Sequence, residues 1–326
     1  MGRPELLVQG DRKYDFMSLN SSFPLRDVFD FAGFFAGRLL LRRKTPLLAS
    51  FKITWRCNLA CKGCPFHRRA KQPGSSMEWD TVRRSLDALA EMGTRIVVFE
   101  GGEPFLWEDR GRTLDDAVSY AKGLFTRVAV TTNGTFPLRG PADILWASLD
   151  GRKDTHDRLR SGSFDRVMKS LRETCHARVL VHVTVHRENR RDLEPLLAML
   201  RDIPSVRGVT LQFFYPYGQG EAPLSMTRAE RRETVEEIIR LKERGFPILN
   251  DAGRLRAMAA GLWRCHDDIL VNVDPDSTIT QGCYVKSRGE VRCRDCGFTP
   301  VAEASGGVDL LPGSLRAGWS VFLSRS

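Results

Sequence analysis

The stretch from Lys52 to Pro65 reads KITWRCNLACKGCP and carries three cysteines, Cys57, Cys61 and Cys64, in a CxxxCxxC spacing. Three thiolates on one short loop can hold three corners of a cubane iron-sulfur cluster, and the loop has no fourth cysteine for the last corner. One iron is then left open to a chelating small molecule. A zinc loop or a disulfide pair stays open on spacing alone, although zinc more often takes paired CxxC knuckles. A second set, Cys265, Cys283, Cys293 and Cys296, follows C-x17-C-x9-C-x2-C. Four thiols across a hairpin and a CxxC knuckle are enough to saturate one further cluster, and they are equally a zinc geometry. Cys175, inside a helical pattern, reads as a small buried hydrophobe.

The elements that must position these residues alternate along the chain. Short β-branched runs at 51–54, 95–100, 128–131, 144–149, 179–185 and 209–214 are interleaved with helical patterns at 77–92, 114–122, 164–177, 191–200 and 227–244. Ser76 reads as the cap of the first of these helices, in which Trp79, Val82, Leu86 and Leu89 share a face, and Gly93 ends it. Such alternation implies parallel strands with right-handed crossovers. The expected fold is α/β: a partial (β/α)6 TIM-like barrel over 48–250 and a small C-terminal cysteine-rich cluster domain over 251–326. In the latter, 269–273 and 278–280 read as a hairpin around Asp274, Pro275 and Asp276. In a parallel barrel the chemistry sits at the carboxyl ends of the strands. Gly101, Gly102 and Glu103, Asn133, Ser148 and Asp150, Asn189 and Gln212 fall there, with Arg160 a short way beyond.

Residues 1–47 form an N-terminal extension, polar and irregular over 1–20. Its segment 26–44, RDVFDFAGFFAGRLLLRRK, is apolar nearly all round a helical wheel, with Asp27, Asp30, Arg38 and Arg42 as a narrow polar stripe. The apolar run is far short of the ~20 residues that span a bilayer. It ends in Arg42, Arg43 and Lys44, so it reads either as an interfacial helix on an anionic membrane or as a helix covering the bottom of the barrel or an oligomer contact. The last segment, with Trp319, Val321, Phe322 and Leu323, reads as an apolar patch that packs back on the barrel. The 326 residues include 50 basic and 40 acidic side chains, a net charge of +10, which favours anionic partners. Eight cysteines in clustered spacings, without a secretory-signal layout, point to metal ligation in a reducing, cytoplasmic and anaerobic setting.

The order of motifs resembles the radical S-adenosylmethionine (SAM) superfamily: CxxxCxxC after the first strand, Glu100-Gly101-Gly102-Glu103-Pro104 after the second, Thr131-Thr132-Asn133-Gly134 after the third, and SLDGRKDTHDRLRSGSFDRV after the fourth. The resemblance implies a 4Fe-4S cluster on Cys57, Cys61 and Cys64 whose open iron is chelated by the amino and carboxylate groups of SAM. It implies further that backbone atoms of Gly101 and Gly102 with Glu103 hold the methionine amino group, that Asn133 belongs to the family's TNG turn, that Ser148 and Asp150 meet ribose and methionine, and that Arg160 meets the carboxylate. Many members carry an aromatic residue just before the last cysteine, packing on adenine. Here Gly63 stands in that place, and Phe66 is the nearest aromatic residue after Cys64.

The C-terminal cysteines resemble the shortened auxiliary-cluster domain called twitch, related to the longer SPASM form, and imply a second 4Fe-4S cluster, with zinc as the alternative. The implied reaction is reductive cleavage of SAM to a 5'-deoxyadenosyl radical that removes a hydrogen atom from an unactivated carbon, with electrons from a ferredoxin or flavodoxin and no acid or base residue in that step. The apolar basic helix and the positive charge suggest a membrane lipid or isoprenoid with an anionic head and a peripheral place at the membrane. Peptide maturation is the alternative, though about 45 residues before the barrel are too few for the winged-helix domain such enzymes usually bring. A non-catalytic metal-stabilised RNA-binding module is the reading from another class. Arginines are not interleaved with aromatics on one element, so no nucleic-acid partner is expected.

Overall fold

The computed structural model describes residues 25–64, 66–216, 221–283, 285, 293 and 296–324. The irregular segment expected over 1–20 lies outside them. In chain order the elements are α1 (Leu25–Leu40), β1 (Leu48–Thr54), α2 (Phe66–Arg69), α3 (Trp79–Glu91) and β2 (Ile96–Gly101), then a small ribbon of β3 (Glu108–Asp109) and β4 (Arg112–Thr113). Next come α4 (Leu114–Lys122), β5 (Arg127–Thr132), β6 (Ile144–Ser148), α5 (Lys153–Leu159), α6 (Phe164–Glu173), β7 (Val179–Val185), α7 (Leu193–Arg201), β8 (Val206–Phe213) and α8 (Arg228–Glu243). The chain closes with α9 (Ala252–Ala260), β9 (Leu270–Val273), β10 (Ile279–Gln281), α10 (Thr299–Val308) and α11 (Pro312–Phe322).

The main sheet runs β10-β9-β1-β2-β5-β6-β7-β8. The six strands expected from the sequence are all parallel, as a partial barrel requires. The C-terminal hairpin extends the same sheet, with β9 parallel to β1 and β10 antiparallel to β9. Period-two alternation sorts the side chains. Ala49, Phe51 and Ile53, Val97 and Phe99, Leu145 and Ala147, and Val181 and Val183 pack outward into the core shared with the helices. Their neighbours Ser50, Val98, Glu100, Trp146, His182 and Thr210 face a cavity in the lumen.

Several elements depart from the sequence expectation for local reasons. The first long barrel helix begins at Trp79 rather than Met77. Ser76 pairs with Thr54 in an isolated antiparallel bridge, and the Trp79 N–H is capped from a distance by Asp109 Oδ2 at 2.8 Å. The helix expected over 164–177 stops at Glu173, where the Thr174 hydroxyl donates to Leu138 O at 2.6 Å. Cys175 therefore lies past the helix end and is exposed, not a buried hydrophobe.

The helix α1 covers the bottom of the barrel, and its polar stripe faces the protein. Asp27 pairs with Arg127, Asp30 accepts from the Thr126 hydroxyl at 3.1 Å, and Arg38 makes a two-toothed contact with Asp268 at 2.9 and 2.8 Å. Phe31 of α1 and Val321 and Phe322 of α11 close the lower lumen against Ile96, Ile144 and Trp146. The Phe322 ring meets Trp146 edge-on at 5.9 Å. No helix among the described residues is long and apolar enough to cross a membrane.

Arg127 ties both closing helices to the barrel, since its Nε also donates to Phe322 O at 2.7 Å. Arg127→Ala leaves the Asp27 carboxylate, 8 % exposed, without its partner. Chemical denaturation is expected to show a loss of about 3 kcal/mol, the cost typical of breaking a buried pair from one side.

Candidate active site

The three cysteines lie on a loop with no regular structure, and the ends of the neighbouring strands hold it in place. From the second strand, the Gly102 N–H donates to Thr54 O and the Glu103 N–H to Arg56 O, both at 2.8 Å. The approach is too close for any side chain: a Cβ on Gly102 would sit 2.2 Å from Arg56 O, and one on Gly101, at φ +133°, 2.3 Å from Thr54 O. These glycines are therefore required by the packing of the cysteine loop on β2. From the third strand, Asn133 Nδ2 donates to Asn58 Oδ1 at 2.8 Å and lies 3.8 Å from Cys57 Sγ. From the segment after α5, Ser161 Oγ accepts from the Ala60 N–H at 3.1 Å, and Leu159 O accepts from the Lys62 N–H at 2.8 Å.

Glu103 is fully buried. Its carboxylate accepts from the Thr132 hydroxyl at 2.8 Å, the Asn133 N–H at 2.7 Å and the Phe105 N–H at 3.2 Å. Burial pushes its pKa up to about 7 against the pull of those three donors. The side chain thus sets the TNG turn, which in turn holds the cysteine loop, and it does not line the cavity.

Asp150 and Arg160 form a buried ion pair beside the cysteines. Burial opposes the charge on Asp150, but the guanidinium outweighs it and, with the Thr184 N–H at 2.8 Å, keeps the carboxyl below its usual range. Burial likewise opposes the charge on Arg160, and Asp150 with the Cys61 and Cys64 thiols overcomes it. The loop between them is knit by His156, which is fully buried rather than on the surface. The Asp150 N–H donates to Nδ1 at 3.2 Å. Burial and then Arg160 lower the His156 pKa to about 4, so the ring is neutral, Nε2–H donates to Ser163 Oγ at 2.9 Å, and Ser163 donates to Arg160 O at 2.8 Å. Asn189 turns away from the cavity: Nδ2 donates to Asp150 O and Thr184 O, each at 2.8 Å. It braces Asp150 instead of lining the pocket.

One cavity of about 720 Å³ gathers the rest. Cys57, Cys61, Cys64, Phe66, Gly101, Gly102, Asn133, Ser148, Asp150, Arg160 and Gln212 all border it. Phe66 is held by stacking on Trp55, ring centroids 5.0 Å apart. Gly63 has φ +79°, a backbone conformation that strains any residue with a Cβ, and it leaves no place for an aromatic residue before Cys64. Glu100, the first residue of the second motif, also lines the lumen, and the groups that motif reading passed over are Ser50, His182, Thr184, Thr210 and Asn272. Behind them Lys52, 1 % exposed, donates to Asn272 Oδ1 at 3.0 Å and pairs with Glu100 at 3.6 Å. Their signal was the alternation itself, since polar residues stand at the inward positions of β1, β7 and β8.

The thiols have the chemistry a cluster takes. Burial raises the pKa of Cys57 and Cys64 and pushes Cys61 to about 12; at Cys57 the charges of Glu103 and Cys64 add to the rise, while at Cys61 Arg160 pulls against burial and the other two cysteines and Asp150 add to it. Three crowded, desolvated thiols are poor thiolates by themselves, and a cationic metal centre is what stabilises them in that form. Among the described residues no three His, Cys, Asp or Glu side chains are already closed around one ion. The C-terminal cysteines show the same signature: burial pushes Cys265 to about 12 and Cys296 to about 11, Cys265 feels the charge of the other three, and Cys296 feels that of Cys283 and Cys293. The Phe298 N–H points at Cys296 Sγ, 3.4 Å away.

Residues 51–200 match the Radical SAM superfamily. This segment is a radical SAM domain. Such a domain implies a 4Fe-4S cluster and SAM as cofactors. The chain is 24% identical over 291 residues to an AdoMet-dependent heme synthase of Methanosarcina barkeri, covering 81% of this chain and 80% of that protein. It is 27% identical over 223 residues to an Fe-coproporphyrin III synthase of the same organism, covering 63% of this chain and 54% of the relative, so it spans about half the length of that protein. Among solved structures, Streptococcus suis SuiB bound to the precursor peptide SuiA superimposes with a TM-score of 0.62 at 14% identity, over 91% of this chain and 73% of SuiB. That likeness concerns the fold.

Glu103 and Glu303 are both buried carboxyls raised to about 7 by burial. Each of these carboxyls binds more protons in the folded than in the unfolded chain between about pH 4.5 and pH 7, so each contributes stability on the order of 3 kcal/mol that is lost as pH rises through that window. The buried imidazoles of His156 and His182, lowered to about 4, contribute in the opposite direction. Glu103→Gln removes one carboxyl contribution, so in urea titrations the stability of the variant relative to the wild type is expected to rise by on the order of 3 kcal/mol from about pH 4.5 to pH 7.

Proposed function

We propose that the chain binds a 4Fe-4S cluster through Cys57, Cys61 and Cys64 and cleaves SAM reductively in the cavity beside them. The observation that supports this most is that the three thiols, the backbone of Gly101 and Gly102, and the Asp150–Arg160 pair all border one lumen. Bound there, the cluster and SAM supply a carbon-centred radical for removal of a hydrogen atom. The protein's part is orientation and exclusion of water. Gly101, Gly102 and Asn133 present backbone and amide groups to the methionine end of SAM, Ser148 and Asp150 take the ribose, Arg160 takes the carboxylate, and Phe66, fixed by Trp55, offers a ring face to adenine. Glu103 acts through Asn133. The C-terminal cysteines hold the auxiliary cluster, and four thiols suit electron transfer rather than substrate ligation.

The substrate is an anionic molecule with an apolar body. The lumen below the polar ring is apolar, with Ile96, Val98 and Trp146 among its walls, and the chain carries a net +10. A lipid or isoprenoid with an anionic head fits that description, as does a tetrapyrrole carboxylate, which the names of the two Methanosarcina relatives favour. A peripheral place at the membrane goes with the first.

Reconstituted protein given SAM and dithionite, and then either a polyprenyl phosphate or iron-coproporphyrin III, is expected to release 5'-deoxyadenosine faster with one of the two than without substrate. Acceleration only by a peptide would contradict the substrate class. Arg160→Ala should raise the KM for SAM about tenfold or more, as loss of a charge-assisted contact does.

A further inference from the structure

The cavity does not stop at the polar ring. It continues down the lumen to Phe31 and Phe35 of α1 and to Leu315, Trp319 and Phe322 of α11. A closed (β/α)8 barrel fills its interior with side chains, whereas here two helices cover an open lower end. Neither buries its outer side. Among the described residues, every exposed large apolar side chain other than Leu262 and Ile279 lies between residues 28 and 41 or between 310 and 319. Phe29 is 71 % exposed and Leu40 79 %.

An ordinary surface helix buries one apolar stripe and turns polar residues to water, whereas α1 is apolar on both sides. Phe31, Phe34 and Phe35 face the protein together with Asp27, Asp30 and Arg38, which pair with Arg127, Thr126 and Asp268, and Val28, Phe29, Leu39 and Leu40 are left outward. Arg127 grips Asp27 of α1 and Phe322 O of α11 with one guanidinium, so the two helices meet at the same end of the barrel. Directly after α1, Arg42, Arg43 and Lys44 are all exposed. An apolar strip that ends in a cationic cluster matches an anionic leaflet, in which acyl chains lie below phosphates. A second copy of the chain would instead bring like charges together.

We propose that the lower end of the barrel docks on an anionic phospholipid leaflet, with α1 and α11 in the interface and the lumen opening between them toward the acyl chains. The docking places an apolar substrate on a direct route to the site from the face opposite the cysteines. It rests on the apolar-bodied, anionic substrate for its purpose, but its test does not depend on turnover.

The test is co-sedimentation of the full chain with vesicles. Binding is expected to phosphatidylcholine vesicles that contain phosphatidylglycerol and not to phosphatidylcholine alone. Phe29→Glu/Leu40→Glu, or Arg42→Glu/Arg43→Glu/Lys44→Glu, should weaken it about tenfold or more. Circular dichroism checks that these surface variants fold. Brominated phosphatidylglycerol should quench tryptophan emission in the wild type and much less in Trp319→Phe, which reports the face and not merely the binding. No sedimentation, binding indifferent to both charge and apolar variants, or quenching that survives Trp319→Phe would overturn the proposal. So would a dimer that Phe29→Glu/Leu40→Glu dissolves, since that assigns the face to a second copy. Release of 5'-deoxyadenosine with soluble substrate, measured separately, tells a failure of docking from a failure of the enzyme reading.

Discussion

The cysteine loop has little hydrogen-bonded structure of its own beyond the turn in which the Cys64 N–H donates to Cys61 O at 3.2 Å, and the rest of the barrel exists around that constraint. Three thiols can converge only if the backbone between them is fixed, and it is fixed by donors and acceptors from the ends of β2 and β5 and from the end of α5 and the turn after it. Gly102 and Glu103 donate to the loop's carbonyls, Asn133 clasps Asn58, and Ser161 and Leu159 hold Ala60 and Lys62. Each of those groups is held in turn. Glu103 fixes Asn133 through its backbone N–H, and the neutral His156 ring knits the segment from Asp150 to Ser163. The site is pre-organised by layers, so its precision does not depend on the loop's own propensities.

Charge is handled by the same layering. Arg160 is the cation whose charge acts on Cys61 and Cys64, and it is neutralised by Asp150, whose other oxygen is bonded to the Thr184 backbone. Asn189 then spans Asp150 and Thr184 and ties the fourth strand's end to the fifth. Deeper in the lumen, Lys52 is satisfied between Asn272 and Glu100, so the hairpin β9–β10 contributes to the same polar ring as β1 and β2. Below that ring the walls turn apolar, and the division sorts a polar reacting end from an apolar body within one cavity.

Much of this was legible in the chain. Strand-helix alternation placed the six parallel strands, and the motifs after the first four fell at their carboxyl ends, because period-two runs bounded by Gly, Asn and Asp are a strong local signal. What was not legible depends on partners far away in sequence. Glu103 looks like a ligand-facing carboxylate until the Thr132–Asn133 turn is seen to use it, and Ser76 looks like a cap until Asp109 takes that role across 30 residues. The stripe of Asp27, Asp30 and Arg38 was visible, yet which way it faced required knowing that Arg127, Thr126 and Asp268 stand below it. Cys175 was misplaced because one hydroxyl, that of Thr174, ends the helix early.

Every role proposed for the site depends on Cys57, Cys61 and Cys64 as the ligands of an iron-sulfur cluster that acts on SAM. The most direct measurement is the iron and sulfide content after anaerobic reconstitution, for the wild type and for Cys57→Ala/Cys61→Ala/Cys64→Ala, followed by dithionite, SAM and detection of 5'-deoxyadenosine. The triple variant is expected to lose about four irons and four sulfides and to make no 5'-deoxyadenosine. Iron content unchanged by the three substitutions, or 5'-deoxyadenosine still formed without these cysteines, would contradict that assignment.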